Sequence, residues 1–538
     1  MEGEEGDGDE YMVLSRWKDT DNLESSLLRQ FPTTPPGVGG HGEGGEGVPT
    51  TALTSAASKS RKGGSSSSSS EAALGDDRND DDNDHVQDDD YERDADQDSH
   101  DADGAADCAN NTSTEIPKCK LEAEYLRSRR YGLSDDIVLH RKCIRAVKSE
   151  RVDRDEVGDI KEPMFSQSQA INLVNECHEW EAMPCEPVEL EVPMPFPERK
   201  YPELIFGVAT SFDRMVDSKP QLTHWLRNTG VKLVAIVVDA VDHRVDLGRL
   251  HSFYADDGVD LVIARPRYTG LGVNEQHFTI VRDLIYHSTP ETKWIGVIDD
   301  DTFFPSLYPL AEVLGQQDHN QPAYLGGLSD NMISIQVNGL LAYGGAGVFL
   351  SMPLAKEIEP NVEKCLMQAD TNQGDALLKS CIYSETTTRL MLIPGLSQLD
   401  IRGDPSGFYE SGRFPLSLHH WKTWHSAPVD QMARSVDYCG SCFLQRWRFD
   451  EDTVLSNGYS VTVYREGIDL DELNQTEATF DDSPQFEWSY GPLRPKATPE
   501  EKKSFYLKDS DFVDDRLRQV YIMRGPEKDE VLELWWEQ

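Results

Sequence analysis

Residues 294–303, Trp-Ile-Gly-Val-Ile-Asp-Asp-Asp-Thr-Phe, carry an apolar run straight into three consecutive carboxylates. Trp294 to Ile298 reads as a buried strand, because an uninterrupted apolar stretch of this length suits a sheet covered on both faces. Asp299, Asp300 and Asp301 then fall at the strand's carboxyl end, where open α/β sheets place their ligand crevice. Three adjacent aspartates repel one another unless positive charge sits among them. Hard oxygen ligands suit Mg2+ or Mn2+, and such an ion brings an anionic group such as a diphosphate with it.

The surrounding pattern agrees with an α/β sheet. Leu204 to Ala209, Val231 to Val238 and Leu261 to Ala264 read as further strands, the second ending at Asp239. Between Ala264 and Trp294 a helix is expected, capped by Asn274, with Phe278, Val281, Leu284 and Ile285 on one face. Strand–helix alternation of this kind predicts a mainly parallel central sheet with helices on both faces. Four regions follow: a disordered acidic, Gly/Ser-rich stem or tail over 1–115, and a lead-in and linker over 116–200 with a helical pattern near 168–180. The α/β domain itself spans 201–470, followed by a C-terminal extension over 471–538 whose simplest role is packing against that domain.

Composition narrows the partners. The formal net charge is −45, which excludes nucleic acid, since phosphate binding needs concentrated Lys and Arg. The serine run 65–70 and the acidic run 76–84 cannot bury enough apolar surface to offset chain entropy. No apolar stretch approaches the ~20 residues of a spanning helix, and no basic leader opens the sequence. Nine cysteines are present, among them Cys439-Gly-Ser-Cys442. That pair reads as half a zinc site, a redox pair, a small disulfide loop or two buried thiols, and the absence of a second CxxC disfavours zinc. Sequons at Asn110, Asn111 and Asn474 are usable only in a secretory lumen.

Three more segments carry candidate chemistry. Gly344-Gly345-Ala346-Gly347 lies between apolar segments, as a tight turn or a close approach of backbone to ligand. Asp375 opens a predicted helix with Leu377, Leu378, Cys381 and Ile382 inside, as an N-cap or a general base. His419 and His420 stand among indoles in 418–425, as packed core or as metal ligands; tryptophans beside a polar pocket often stack on sugar rings. A haloacid-dehalogenase-type phosphatase also starts from strand-Asp-x-Asp, which Asp299 and Asp301 match. Phe303, however, stands where that motif needs Thr or Val.

Taken in order, the segment Phe206–Ser211, Trp225, the strand ending at Asp239, Trp294–Phe303, Gly344–Gly347, Gly374-Asp375 and His419-His420-Trp421 resemble glycosyltransferase family 31. That family includes Fringe and the core-1 β-1,3-galactosyltransferases, and the resemblance, nearest its fungal and plant Fringe-like branch, covers roughly 200–465. It implies a GT-A fold and an inverting transfer of a hexose or N-acetylhexosamine. The donor would be a UDP-sugar, the acceptor a hydroxyl of a glycan or glycoprotein, and the linkage β-1,3. The cofactor would be Mn2+, or Mg2+. Asp301 and one of His419 and His420, with His419 preferred, would bind the metal. Thr210, Arg214, Asp239, Asp299, Asp300, Gly344, Gly345, Ala346 and Gly347 would serve the donor, and Asp375 would be the base. Gly374 departs from the family pattern, which often has a second acid there. The resemblance further implies a Cys365–Cys381 disulfide and residence in the Golgi or secretory lumen, with membrane attachment only through an anchor that 1–538 does not contain. A catalytically silent carbohydrate-binding relative is the alternative.

Overall fold

The computed structural model describes residues 123–174, 183, 185–241 and 246–537. The tail expected over 1–115, with its two sequons, lies outside them.

A seven-stranded sheet forms the centre. Its order is Leu390–Leu392, Tyr324–Gly326, Val348–Ser351, Trp294–Ile298, Leu204–Thr210, Lys232–Val237, Asp260–Ala264. Four of its six pairings are parallel, and Val348–Ser351 runs antiparallel to both neighbours. The sheet is therefore α/β and mixed, looser than the mainly parallel arrangement expected. Side chains alternate by face, as the two-residue period of a strand requires. Leu204, Phe206 and Val208 enter one core with Trp225, Phe303 and Phe304. Ile205, Ala209, Ile295 and Val297 enter the other with Phe278, Val281 and Leu284. Each fully buried aliphatic chain contributes about 1.5–3 kcal/mol, so both faces must be covered. Gly296 is needed for this packing, because a Cβ there would come within 2.6 Å of the Phe206 ring.

The helix expected after Ala264 is present as Val273–Thr279 and Val281–His287. Its cap is Gly272 rather than Asn274: the Glu275 carboxylate turns back to accept from the Gly272 N–H at 3.0 Å.

A second, ten-stranded sheet has no counterpart in the sequence reading. Strand Asp136–Lys148, from the segment read as lead-in and linker, pairs in parallel with the C-terminal strand Asp529–Glu537. Arg516–Met523, Lys502–Val513, Ser460–Tyr464, Thr453–Ser456 and Arg446–Phe449 continue the sheet in antiparallel pairs. Ser168–Asn172, where a helical pattern began, is a strand antiparallel to the start of Asp136–Lys148; residues 175–182 lie outside the described set. The helical spacing there was outweighed by an open strand edge needing hydrogen-bond partners. One apolar core runs from Leu204, Phe206 and Val208 to Phe505, Tyr521 and Trp536, so residues 471–537 pack against the central domain. Among the described residues no helix is long and apolar enough to cross a membrane.

Candidate active site

The parallel strands Leu204–Thr210, Lys232–Val237 and Trp294–Ile298 all end on one edge of the sheet, bringing Thr210, Asp239 and the aspartate triplet together. Asp239 takes the Phe212 N–H at 2.9 Å, holding the turn into the helix Phe212–Asp217. That helix presents Arg214.

The positive charge that three adjacent aspartates require comes from the protein. Asp300 is 5% exposed. It accepts from Arg214 Nε at 2.6 Å and from a second guanidinium nitrogen, and the Thr210 hydroxyl also donates to it. Lys422 Nζ stands 3.6 Å from the same carboxylate and donates to Ser218 Oγ at 2.6 Å. Hydrogen bonding to Asp300, against the effect of burial, raises the Arg214 pKa.

Asp301 and the histidines meet through a two-bond bridge. Phe303 and Leu418 exchange backbone hydrogen bonds, both 2.8 Å, which sets the 419–420 pair beside the triplet. Asp301 Oδ1 lies 3.0 Å from His419 Nε2, and Asp301 Oδ2 accepts from Thr423 at 3.1 Å. His419 Nδ1 faces the Gln398 carbonyl at 3.0 Å; a proton held there leaves Nε2, toward the aspartates, as the nitrogen that would give up its proton to a metal. His420 is committed on both sides, Nδ1 to Thr423 at 2.9 Å and Nε2 to Asp400 at 3.2 Å. Ligand atoms of Asp301, His419 and His420 all lie within 4.8 Å of one another, a group able to hold a metal ion. Carboxylate oxygen with imidazole nitrogen is a donor set that fits a divalent cation and lacks the thiolates that a soft ion prefers.

Electrostatics tighten this pair. Burial works against charge on both partners, yet the Asp301 contact raises His419 to about 9 and holds Asp301 well below the usual carboxylate range. Burial lowers His420, with Asp400 opposing it. Asp299 is raised, by desolvation first, with the imidazoles of His277 and His419 pulling it back.

Asp375 is not an N-cap. Gln373 holds that position on the helix Gly374–Glu385, and Asp375 Oδ2 accepts the Gly344 N–H at 2.9 Å. The glycine segment 344–347 is buried and closes around the site. Thr302 Oγ1 donates to the Gly345 carbonyl at 3.1 Å, and Ala346 N–H donates to Gln398 at 2.9 Å. A Cβ at Gly345 would overlap the His419 ring.

His277 is the residue the sequence reading missed. Its Nδ1 is 3.3 Å from Asp299 and its Nε2 3.0 Å from Asp375. The site is thus one alternating row: Asp375, His277, Asp299, His419, Asp301. In Gln276-His277-Phe278 nothing local distinguishes this imidazole from core packing; only the fold delivers it.

Of the tryptophans in the 418–425 segment, Trp421 is buried, and Trp424, 38% exposed, stacks on the His420 ring at 4.1 Å with the Arg402 guanidinium 4.7 Å from its ring.

The family described as "Protein of unknown function, DUF604" matches residues 335–521. Solved structures with a partial likeness include the galactosyltransferase LgtC in complex with donor and acceptor sugar analogues. It is 11% identical over 44% of this chain and 82% of its own, with a TM-score of 0.25. Apo mouse xyloside xylosyltransferase 1 is 11% identical over 36% and 85%, also with a TM-score of 0.25. A glycosyltransferase involved in glycosylating the major capsid of PBCV-1 is 12% identical over 43% and 99%, with the same score. No curated protein matches the chain.

Proposed function

We propose that this chain is a metal-dependent inverting glycosyltransferase of GT-A type, resembling glycosyltransferase family 31. It would move a hexose or N-acetylhexosamine from a UDP-sugar to a hydroxyl of a glycan or glycoprotein, with a β-1,3 linkage as the family outcome. The observation that carries this reading is the row from Asp375 to Asp301, which sets a carboxylate suited to take a proton beside a carboxylate–imidazole pair suited to a divalent ion. Asp301 and His419 Nε2 would hold Mn2+ or Mg2+; His420, engaged on both nitrogens, supports them. When bound, the ion supplies the positive charge that stabilises a departing diphosphate.

The protein's own groups do the rest. Arg214 and Lys422 pair with Asp300, and they add positive charge where an anionic donor would lie. Thr210 and Asp239 line the strand ends on the nucleotide side, and the 344–347 segment walls the pocket where sugar and acceptor meet. Asp375 accepts the proton of the attacking hydroxyl, whose oxygen displaces the diphosphate from the opposite face of the anomeric carbon, inverting it.

The test is a donor screen measuring UDP release and product across UDP-galactose, UDP-N-acetylglucosamine and UDP-glucose with Mn2+. Asp301→Ala and His419→Ala should abolish metal-dependent donor binding in calorimetry. Asp375→Asn should keep that binding and lose ~10²–10⁴-fold in transfer rate. If no UDP-sugar binds with millimolar Mn2+, the reading fails. Retained donor binding without any transfer would instead identify a silent carbohydrate-binding relative.

A further inference from the structure

Two glycines on separate elements make room for one imidazole. A Cβ at Gly344 would come 2.5 Å from His277 Cε1 and 3.0 Å from Asp375 Oδ1. A Cβ at Gly374 would come 2.8 Å from His277 Cδ2 and 2.6 Å from the Asn274 carbonyl. Neither glycine has a positive φ, so backbone conformation does not demand them; the ring does. His277 is 5% exposed, and a polar ring is buried without cost only if it is partnered. Its partners are the two carboxylates, one at each nitrogen. The contact to Asp375 Oδ1 is at ion-pair distance but is not aligned as a hydrogen bond. The other Asp375 oxygen is fixed by Gly344.

We propose that His277 is a positioning residue for the reaction's proton acceptor: it fastens Asp375, on the helix Gly374–Glu385, to Asp299 at the strand end that carries the donor side. Removing a link of this kind frees the Asp375 rotamer and lets the helix start drift. Proton transfer is sensitive to such displacement because it requires heavy atoms within ~2.6–3.2 Å. Donor binding rests mainly on Asp301 and His419 at the far end of the row and on the Arg214–Asp300 pair, so it falls less than the transfer rate does. Gly374 leaves room for both the Asn274 carbonyl and the His277 ring, which a side chain there would exclude.

This inference rests on the proposed function, and the experiment separates the two. In the full chain with Mn2+ and the best donor, His277→Asn should lower kcat for transfer by 10–100-fold. KM for the donor and its calorimetric Kd should stay within about threefold. His277→Gly should recover part of its kcat with added imidazole, a response that a packing defect does not give. An active wild type whose His277→Asn variant keeps kcat, or loses donor affinity as much as kcat, overturns the positioning role. A wild type that turns over no UDP-sugar overturns the underlying reading and this inference with it.

Discussion

Asp330 sits 8% exposed beneath the site, accepting from the Leu399 N–H at 2.7 Å. Burial raises its carboxyl to about 7, the Leu399 N–H opposes this, and nearby Asp400 adds to it. A carboxyl whose folded pKa is raised favours the fold fully below its unfolded pKa near 4, and loses that contribution as pH rises through about 7. Asp330→Asn should therefore unfold at higher temperature than wild type at pH 8, with the gap closing by pH 4.5; three pKa units set an upper bound of about 4 kcal/mol. Calorimetric unfolding at the two pH values checks it. At Gly345 the strain is purely steric, since its φ is ordinary. Gly345→Ala should push the His419 ring aside and weaken Mn2+-dependent donor binding by about 10–100-fold, measured by titration calorimetry, and the overlap in a buried site should also cost about 1–3 kcal/mol of stability, read as a lower unfolding temperature. Single residues were unequally legible in the sequence. Asp299 to Asp301 announced themselves because three carboxylates after an apolar run need an explanation. His277 gave no such signal, since a lone imidazole on a helix takes its meaning from what other elements bring to it.

The helix that carries Asp375 is stapled at its far side. Cys381 bonds Cys365 of the helix Val362–Gln368, closing a loop with a sequence separation of 16. This is the pairing the family resemblance implied. A loop of that length is worth ~3 kcal/mol, so Cys365→Ser with Cys381→Ser should lower the unfolding temperature by several degrees. It should also cut kcat more than donor affinity, because the Asp375 helix loosens while the metal pair does not. Thermal scans beside steady-state kinetics separate these effects. Cys439 and Cys442 also form a disulfide, which leaves the small disulfide loop and the redox pair of the four readings of that CxxC. Four strands of the central sheet could be read from sequence because each is an apolar run bounded by a polar turn; Tyr324–Gly326, Val348–Ser351 and Leu390–Leu392, three or four residues each, were not. The second sheet could not: in Lys502–Val513 buried and exposed positions alternate among charged residues. The partner of Asp136–Lys148 lies nearly 400 residues away, and no local pattern encodes a pairing at that distance.

At the scale of the molecule, three disulfides form among the described residues, with Cys143–Cys185 as the third, and bonds of this kind persist in oxidising compartments. Asn474 is exposed on the turn after Leu470–Leu473. Secreted from a eukaryotic host, the protein should carry a glycan at Asn474, seen as a mass shift removed by endoglycosidase and absent in Asn474→Gln; an unmodified Asn474 would count against the secretory assignment. The large sheet owes its continuity to Asp529–Glu537, which lies between Arg516–Met523 and Asp136–Lys148. That placement has a kinetic consequence. A ribosome releases Asp136–Lys148 long before its parallel neighbour exists, so the nascent chain must wait with an open edge until Asp529–Glu537 has also been made and released. A stop codon anywhere upstream of Asp529 therefore yields a chain that chaperones must hold or proteases clear.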